Sequence, residues 1–256
     1  QHGDMDTALI YSFGNSSTAN EIVDVLGLQM DPYCIAPLRP DAISLAALQA
    51  RSLLDAGKYT ERDFAEVAAR SRRDAKDNPN AQVTGDFSID DILASPYIAS
   101  PLRKHDCPPI TDGGAAMVIA TADKAKELCK RPVWVKSIDH RIESHQPGLR
   151  NLAVSTSTRQ AAEECGVGQD KIDVAEIYAP YTHQELILRD AIGLDNDVSI
   201  NPSGGALAAH PLMSAGLIRI GEVANRIMAG KADRGLAHAT SGSCLQQNLV
   251  TVLEGA

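Results

Sequence analysis

A histidine stands between a pair of glycines and the start of a helix in the stretch NPSGGALAAHPLMSAG, residues 201–216. A neutral imidazole can both donate and accept a proton near pH 7, which makes His210 a candidate acid–base group. Gly204 and Gly205 allow a backbone to approach a ligand closely. The dipole of the helix that follows favours negative charge developing near its N-terminus. The alternative interpretation is that His210 only caps this helix.

A second cluster of chemically capable residues is His105-Asp106-Cys107, directly before a Pro-Pro pair. Neighbouring side chains splay apart along the backbone, so we expect no metal ligation there. The chain has five cysteines with irregular spacing and no CxxC pair. This pattern favours reduced thiols in a cytoplasmic protein and predicts no metal site.

The elements that must position these residues alternate between strand and helix in the second half of the chain. Apolar runs and helical periodicity, with their caps and glycine stops, predict the order of the elements. Strands are predicted over 6–13, 115–121, 132–142 and 172–178, with two more within 234–255. Helices are predicted over 44–57 with Ser44 as the cap, 60–79, 122–129, 155–166, 182–193 and 212–230. The segment 88–114 is rich in proline and is predicted to be irregular. Such alternation indicates α/β layers.

Composition and charge exclude several classes of partner. The 256 residues are 44% hydrophobic and 22% charged, which is enough to bury a sizeable core. The formal net charge is -9 and the sequence contains no basic run, so we expect no nucleic acid and no anionic membrane as a main partner. An apolar run of about 18 residues is absent as well, so no membrane insertion is expected. The first residues carry no signal-peptide pattern, which favours a cytoplasmic location.

Four short motifs occur in a characteristic order: TDGGAAMVIA (111–120), EIYAPYTHQE (176–185), the 201–216 stretch and LAHATSGSC (236–244). In this order and at these spacings they resemble the thiolase superfamily, and the resemblance runs from residue 6 to residue 255. It implies an α/β, thiolase-like layered fold of two βαβαβαββ halves. Residues 1–120 would be the remainder of the N-terminal half with its irregular loop segment, and residues 121–256 the C-terminal half. Because residues 5–17 resemble the strand after the helix of the nucleophilic cysteine, we expect the first half to be incomplete in this chain.

The resemblance gives His210 a role, and the first departure from it concerns Tyr178. His210-Pro211 matches the family's Gly-His-Pro motif, with Ala209 in place of the glycine, which implies acid–base catalysis and oxyanion binding by His210. The family's Asn-Glu-Ala-Phe is replaced by residues 178–181, YAPY, so a phenol stands where an amide usually holds water. A phenol can donate to an enolate oxygen or accept a hydroxyl proton. We interpret Tyr181 as a packing residue, and His183 either orients Tyr178 or caps the helix that starts beside it.

The second departure lies in the last motif, where Thr240-Ser241-Gly242 replaces the family's Cys-x-Gly. The pKa of a threonine hydroxyl is too high for the proton abstraction that this cysteine performs. Cys244 is expected in the following strand as a small buried hydrophobe. We predict that Ser241 and Gly242, together with Gly204 and Gly205, bind the coenzyme A thioester.

These features together resemble the lipid-transfer or sterol-carrier branch of thiolase-like proteins. Several members of that branch are retro-aldolases of steroid side-chain breakdown that pair with a DUF35 protein, which has an OB-fold and a zinc ribbon. The resemblance implies retro-aldol cleavage of a β-hydroxyacyl-CoA in lipid or steroid side-chain degradation, with Tyr178 transferring the proton and His210 donating to the enolate. Coenzyme A would be part of the substrate, with no covalently bound cofactor. A homodimer with a DUF35-type partner is expected. Two alternatives stay open: an acetyl-CoA C-acyltransferase, and a catalytically silent lipid-CoA-binding or scaffold subunit.

Overall fold

The computed structural model describes residues 3, 5–18 and 22–256. Its strands are β1 (Thr7–Asn15), β2 (Tyr97–Ala99), β3 (Leu102–Arg103), β4 (Asp112–Ala120), β5 (Val133–Ile142), β6 (Val174–Ile177), β7 (Ser199–Ile200), β8 (Arg234–Ser241) and β9 (Gln247–Gly255). Its helices are α1 (Ile22–Gly27), α2 (Ala42–Asp55), α3 (Glu61–Asp74), α4 (Ile89–Ala94), α5 (Ala122–Leu128), α6 (Thr156–Glu164), α7 (Thr182–Ile192), α8 (Gly205–Ala208) and α9 (Ala215–Met228).

The main layer is a five-stranded mixed sheet in the order β5–β9–β8–β6–β7. β6 runs parallel to β7 and β8, whereas β9 is antiparallel to both β8 and β5. Side chains alternate between the two faces of a strand, so neighbouring residues pack against different helices. Val174 packs in a cluster with Val223 and Ile227 of α9, whereas Ala175 and Ile177 join the larger core that contains α6 and α7. The sheet is thus covered by helices on both faces.

A separate two-stranded sheet joins parts of the chain about one hundred residues apart. β1 pairs antiparallel with β4 in a continuous register from Thr7↔Ala120 to Asn15↔Asp112. One face of this sheet presents exposed apolar side chains, and we call it the outer β1–β4 face. It is formed by Leu9 (65% exposed), Tyr11 (69%), Phe13 (71%) and Val118 (65%).

Helix starts follow local capping chemistry, and one predicted cap was wrong. α2 is capped by Asp41, whose carboxylate accepts from the backbone N–H groups of Ile43 and Ser44, so Ser44 lies inside the helix. A carboxylate that is free to accept from the first turn takes this role in preference to a hydroxyl one turn later. α3 begins as predicted after Thr60, whose backbone N–H donates to Asp63 at 2.7 Å.

Two predicted segments differ from the structure in detail. The segment 88–114 is only partly irregular, because Ser88 caps the short helix α4 and the hairpin β2–β3 follows. The helix predicted over 212–230 is divided into a 3₁₀ turn, Leu212–Ser214, and α9. No helix among the described residues is both long enough and apolar enough to cross a bilayer.

Candidate active site

A cleft of about 350 Å³ opens where the C-terminal end of β6, the segment after α8 and the β8–β9 turn meet α2. It is lined by Leu26, Gln29, Met30, Ala42, Leu45, Ala46, Tyr178, Pro180, Tyr181, Gln184, His210, Leu212, Met213, Gly216, Leu217, Thr240, Ser241, Gly242, Ser243, Cys244 and Leu245. Apolar walls with a few convergent polar groups are typical of a site for a small organic substrate. Four of the predicted site residues, Tyr178, His210, Ser241 and Gly242, therefore share one cleft.

Tyr178 and His210 are in direct contact in this cleft. The Oη atom of Tyr178 lies 2.6 Å from Nε2 of His210. Tyr178 follows β6 immediately, and its backbone N–H donates to the carbonyl of His238 on β8 at 3.1 Å, which fixes the residue at the end of the sheet. The sequence separates the two side chains by 32 residues, and the end of the parallel strand brings them together.

His210 is held from the other side by the two-stranded sheet. Its backbone N–H donates to Oγ1 of Thr111 at 3.1 Å, just before β4. Pro211 packs on Gly14 and Gly113, where an added Cβ would come within 3.2 Å and 3.1 Å of Pro211 atoms. Both glycines thus permit the close approach that positions the histidine ring.

Electrostatics keep both members of the pair neutral at pH 7. Burial raises the pKa of Tyr178, although the charge of Arg219 acts in the opposite direction. Burial, reinforced by Arg219, lowers the pKa of His210 to about 4. The guanidinium itself is buried and is paired with Glu176 at 2.7 Å and with Ser203 Oγ at 2.9 Å. At neutral pH the contact is therefore a phenol beside a neutral imidazole, whose Nε2 is placed to accept the phenolic proton.

The β8–β9 turn forms the opposite wall of the cleft. Thr240 Oγ1 donates to the carbonyl of Gln247 at 2.9 Å, so its hydroxyl is used within the sheet. Cys244 lies in the turn and not in the following strand, because both Cys244 and Leu245 have a positive φ that ends the ladder. Burial raises the pKa of the Cys244 thiol to about 11, so it is protonated at neutral pH.

Three other predicted site residues lie outside the lining of the cleft. Gly204 has φ +85°, and a Cβ on it would come within 2.5 Å of Ala75, so the residue permits close packing of α8 on the end of α3. Gly205 is buried beside Asn201. His183 is fully buried, with Nε2 3.3 Å from Oε1 of Gln49. Substrate binding by the glycines and catalysis by His183 stay predictions.

In the His105-Asp106-Cys107 cluster, the Asp106 carboxylate makes hydrogen bonds within the protein. Asp106 accepts from Thr182 Oγ1 at 2.7 Å and from the backbone N–H of Arg103 at 2.8 Å. Within the described ranges, no group of three or more His, Cys, Asp and Glu side chains is placed to hold a metal ion.

The sequence interpretation missed the buried polar residues that support the site. Arg219 lies on the buried stripe of α9 with Ala215, Val223 and Ile227, at a regular spacing of four residues. Gln49 occupies the same kind of position on α2, between Leu45 and Leu53. A polar residue at a core position of an amphipathic helix is the signal that could have identified both.

Comparison with known proteins supports the predicted resemblance. The chain is 27% identical over 230 residues to an acetyl-CoA acetyltransferase of Methanothermobacter thermautotrophicus, covering 78% of this chain and 60% of that protein. It is 30% identical over 168 residues to the 17-hydroxy-3-oxo-4-pregnene-20-carboxyl-CoA lyase of Mycobacterium tuberculosis, covering 60% of this chain and 44% of the lyase. The chain thus spans about 60% or less of the length of these relatives. No protein-family model matches it.

Comparison with solved structures identifies the fold. The Ltp2-ChsH2(DUF35) aldolase superposes with a TM-score of 0.77 at 19% identity, over 96% of this chain and 72% of that chain. The α/β, thiolase-like fold is therefore confirmed. Relatives of this chain include a thiolase-type acetyltransferase, sterol carrier protein 2 and a steroid side-chain lyase, so the predicted resemblance is confirmed as well.

Proposed function

We propose that this protein cleaves a carbon–carbon bond in a β-hydroxyacyl-CoA by a retro-aldol reaction, within lipid or steroid side-chain degradation. The observation that carries the proposal is the 2.6 Å contact between Tyr178 Oη and His210 Nε2 in the cleft. A linked phenol and neutral imidazole can take a hydroxyl proton and later return it, which is the acid–base work that this reaction needs.

The pair works as a relay in this scheme. The β-hydroxyl proton of the substrate moves to Tyr178 Oη while the phenolic proton moves to Nε2 of His210. The Cα–Cβ bond breaks, its electron pair passes into a thioester enolate, and the former hydroxyl carbon becomes a carbonyl. The proton then returns through Tyr178 to Cα, so the enzyme ends in its starting state. A raised tyrosine pKa favours this concerted path over a standing phenolate.

The relay replaces the separate roles expected from the sequence, in which Tyr178 transfers the proton and His210 donates to the enolate. Because Nε2 faces Tyr178 Oη and accepts the phenolic proton in the relay, it has no free proton to donate to the enolate. Donation to the developing enolate then belongs to backbone N–H groups of the cleft, where preorganised donors are most effective.

Acyl transfer is the alternative, and the acetyltransferase relative favours it. It needs an activated nucleophile and a second acid–base group. Among the described residues that line the cleft, the single cysteine is Cys244, and its pKa of about 11 leaves little thiolate at neutral pH. The Thr240 hydroxyl is already used within the sheet. These features support cleavage over transfer by the described residues.

The test is turnover of a β-hydroxyacyl-CoA by the purified protein with no free coenzyme A present. The steroid-CoA named for the mycobacterial lyase and a straight-chain 3-hydroxyacyl-CoA serve as the two probes. The proposal expects a carbonyl product and a shortened acyl-CoA in equal amounts. A strict requirement for free coenzyme A or a second acyl-CoA would establish transfer instead. Binding of both probes without turnover, alone and with a DUF35-type protein, would establish the scaffold alternative.

We also propose that the working form is a homodimer with a DUF35-type partner. Two observations support this: the outer β1–β4 face exposes apolar side chains, and the aldolase with the same fold is named together with a DUF35 component. Exposed apolar patches of this kind mark interaction surfaces. Light scattering on the protein alone and after co-expression with a DUF35-type protein measures both contacts. A folded, soluble monomer in both samples would refute this proposal and leave the catalytic one intact.

A further inference from the structure

The turn between β8 and β9 adopts a backbone conformation that its residues disfavour. Cys244 has φ +55° and Leu245 has φ +60°, and Gly242 precedes them with φ +77°. The left-handed region suits glycine, but a side chain with a Cβ clashes there with its own backbone. Two such residues in succession require external support.

Buried side chains from three other parts of the chain supply this support by binding the carbonyls of the turn. Arg150 donates through Nη2 to Ser243 O at 2.9 Å and through Nη1 to Cys244 O at 3.0 Å. Gln49 Nε2 donates to Cys244 O at 3.3 Å, and Asn248 Nδ2 donates to Leu245 O at 2.8 Å. The carbonyl oxygens of three successive residues, 243–245, are therefore held by hydrogen bonds from buried side chains.

The side-chain amide of Gln49 uses all of its hydrogen-bonding positions in this arrangement. Its other N–H donates to Leu152 O at 3.3 Å, and its Oε1 atom accepts from Gln184 at 2.9 Å and lies 3.3 Å from His183 Nε2. A glutamine amide has two donors and two acceptor positions, and all four are engaged. The amide thereby connects the start of α7 with the turn, and it links the buried His183 to Cys244 O.

The hydrogen bonds to these carbonyl oxygens also fix the directions of the N–H groups in the same peptide units. In a trans peptide the C=O and the N–H point in opposite directions. The contacts to Ser243 O and Cys244 O therefore set the directions of the N–H groups of Cys244 and Leu245. No described residue accepts a hydrogen bond from either N–H, and both residues line the cleft.

We propose that Arg150 and Gln49 are positioning residues of the cleft, which hold the 242–245 turn in its left-handed conformation so that its N–H groups stay directed at the substrate's thioester oxygen. The identity of the bound oxygen rests on the proposed function, whereas the support of the turn does not. Neither residue touches the Tyr178–His210 pair, so their effect passes through the turn.

The decisive variant is Arg150→Lys, which keeps the positive charge beside Glu143 but loses the two-pronged contact with Ser243 O and Cys244 O. We expect amide hydrogen exchange over residues 242–246 to become at least tenfold faster. We expect kcat/KM for the β-hydroxyacyl-CoA probe to fall about tenfold.

A rescue experiment separates positioning from a general loss of stability. Adding Cys244→Gly to Arg150→Lys removes the Cβ penalty of the left-handed conformation and should restore at least half of the exchange protection. Adding Cys244→Ala is the matched control, since alanine removes the thiol but retains the penalty, and it should restore none. Equal behaviour of the two double variants, or unchanged exchange in Arg150→Lys, would overturn the proposal.

A second variant covers the case in which Arg150→Lys does not fold. Gln49→Glu retains the acceptor for Gln184 but loses the N–H donor to Cys244 O, and the same exchange measurement and the same glycine–alanine pair apply. If the wild-type protein turns over no CoA thioester, the proposed function fails. The exchange measurements, which use the protein without any ligand, still decide whether the turn is held as proposed.

Discussion

Two histidine environments in this molecule have similar pKa shifts and different surroundings. Burial lowers the pKa of His210 to about 4, that of His183 to about 3 and that of His238 to about 4. His210 lines the cleft and contacts a phenol, whereas the other two are fully buried and lie beside the amide oxygens of Gln49 and Asn248.

A perturbed pKa alone does not identify a catalytic histidine in this protein. Desolvation acts on every buried imidazole, so it shifts structural and functional histidines alike. Access to the cleft and a partner that can exchange a proton are what distinguish His210. Substitutions and pH changes should therefore affect turnover at His210 and its partner, and stability at His183 and His238.

Substitution of Tyr178, which contacts His210 in the cleft, should have the strongest effect on kcat. Tyr178→Phe removes the relay hydroxyl and should lower kcat by about two to four decades, the usual scale for one acid–base group. Steady-state turnover of the probe substrate measures it. Tyr181→Phe is the matched control, because it removes a hydroxyl from the same cleft and should cost less than about tenfold. Near-normal turnover by Tyr178→Phe would reassign this tyrosine to packing.

The buried histidines His183 and His238 should make the free energy of unfolding depend on pH. A histidine whose folded pKa lies below its unfolded value near 6.5 binds fewer protons in the folded state. The free energy of unfolding therefore falls as the pH drops below about 6.5 towards 4, by up to about 1.4 kcal/mol per pH unit for each such histidine. Urea unfolding between pH 7 and 4.5 measures this slope.

The matched variant for this slope is His183→Gln, which can still donate to Gln49 but does not titrate. It should make the pH dependence of the free energy of unfolding shallower by about one proton. An unchanged slope would show that His183 is not buried as a neutral imidazole.

A smaller effect is expected from the thiol in the turn. Cys244→Ala should lower kcat/KM by less than about tenfold, because burial keeps the thiol protonated and its Sγ atom faces Leu45 O at 3.6 Å. The same turnover assay measures it. A loss of several decades in a folded variant would revive acyl transfer through Cys244.

The smallest effect is expected in the pH–rate profile. Because the pKa of His210 is about 4 and that of Tyr178 is raised, neither group changes its charge between about pH 5.5 and 8.5. The kcat/KM value of the folded protein should therefore vary by less than about threefold across this interval. An acidic limb with a midpoint near 6.5 would indicate an ordinary, solvated histidine in the reaction.

Local sequence patterns predicted most helices and strands, and each feature that they mispredicted or missed has a physical reason. Apolar runs and caps predicted β5, β6 and α7 to within two residues at each end, whereas the helix predicted over 60–79 ends earlier, at Asp74 of α3. The cap of α2 was misplaced because Asp41 and Ser44 are both good capping residues. The pairing of β1 with β4 is a non-local contact, so no local pattern could predict its register.

The site was predictable as a set of residues but not as a geometry. The motifs pointed to Tyr178, His210, Ser241 and Gly242, which share the cleft. That Tyr178 contacts His210 and that His183 faces Gln49 depend on how α7 and α8 dock on the sheet. The support from Arg150 was invisible in the sequence, because it comes from a loop with no periodic pattern.

The Tyr178–His210 relay can be tested by a double-mutant cycle, in which Tyr178→Phe, His210→Gln and the double variant are compared in kcat/KM for the β-hydroxyacyl-CoA probe. If the two side chains act as one relay, the double variant should be about as slow as the slower single variant, because either substitution already breaks the relay. Losses that add up in the double variant would show that the two residues act independently and would contradict the relay.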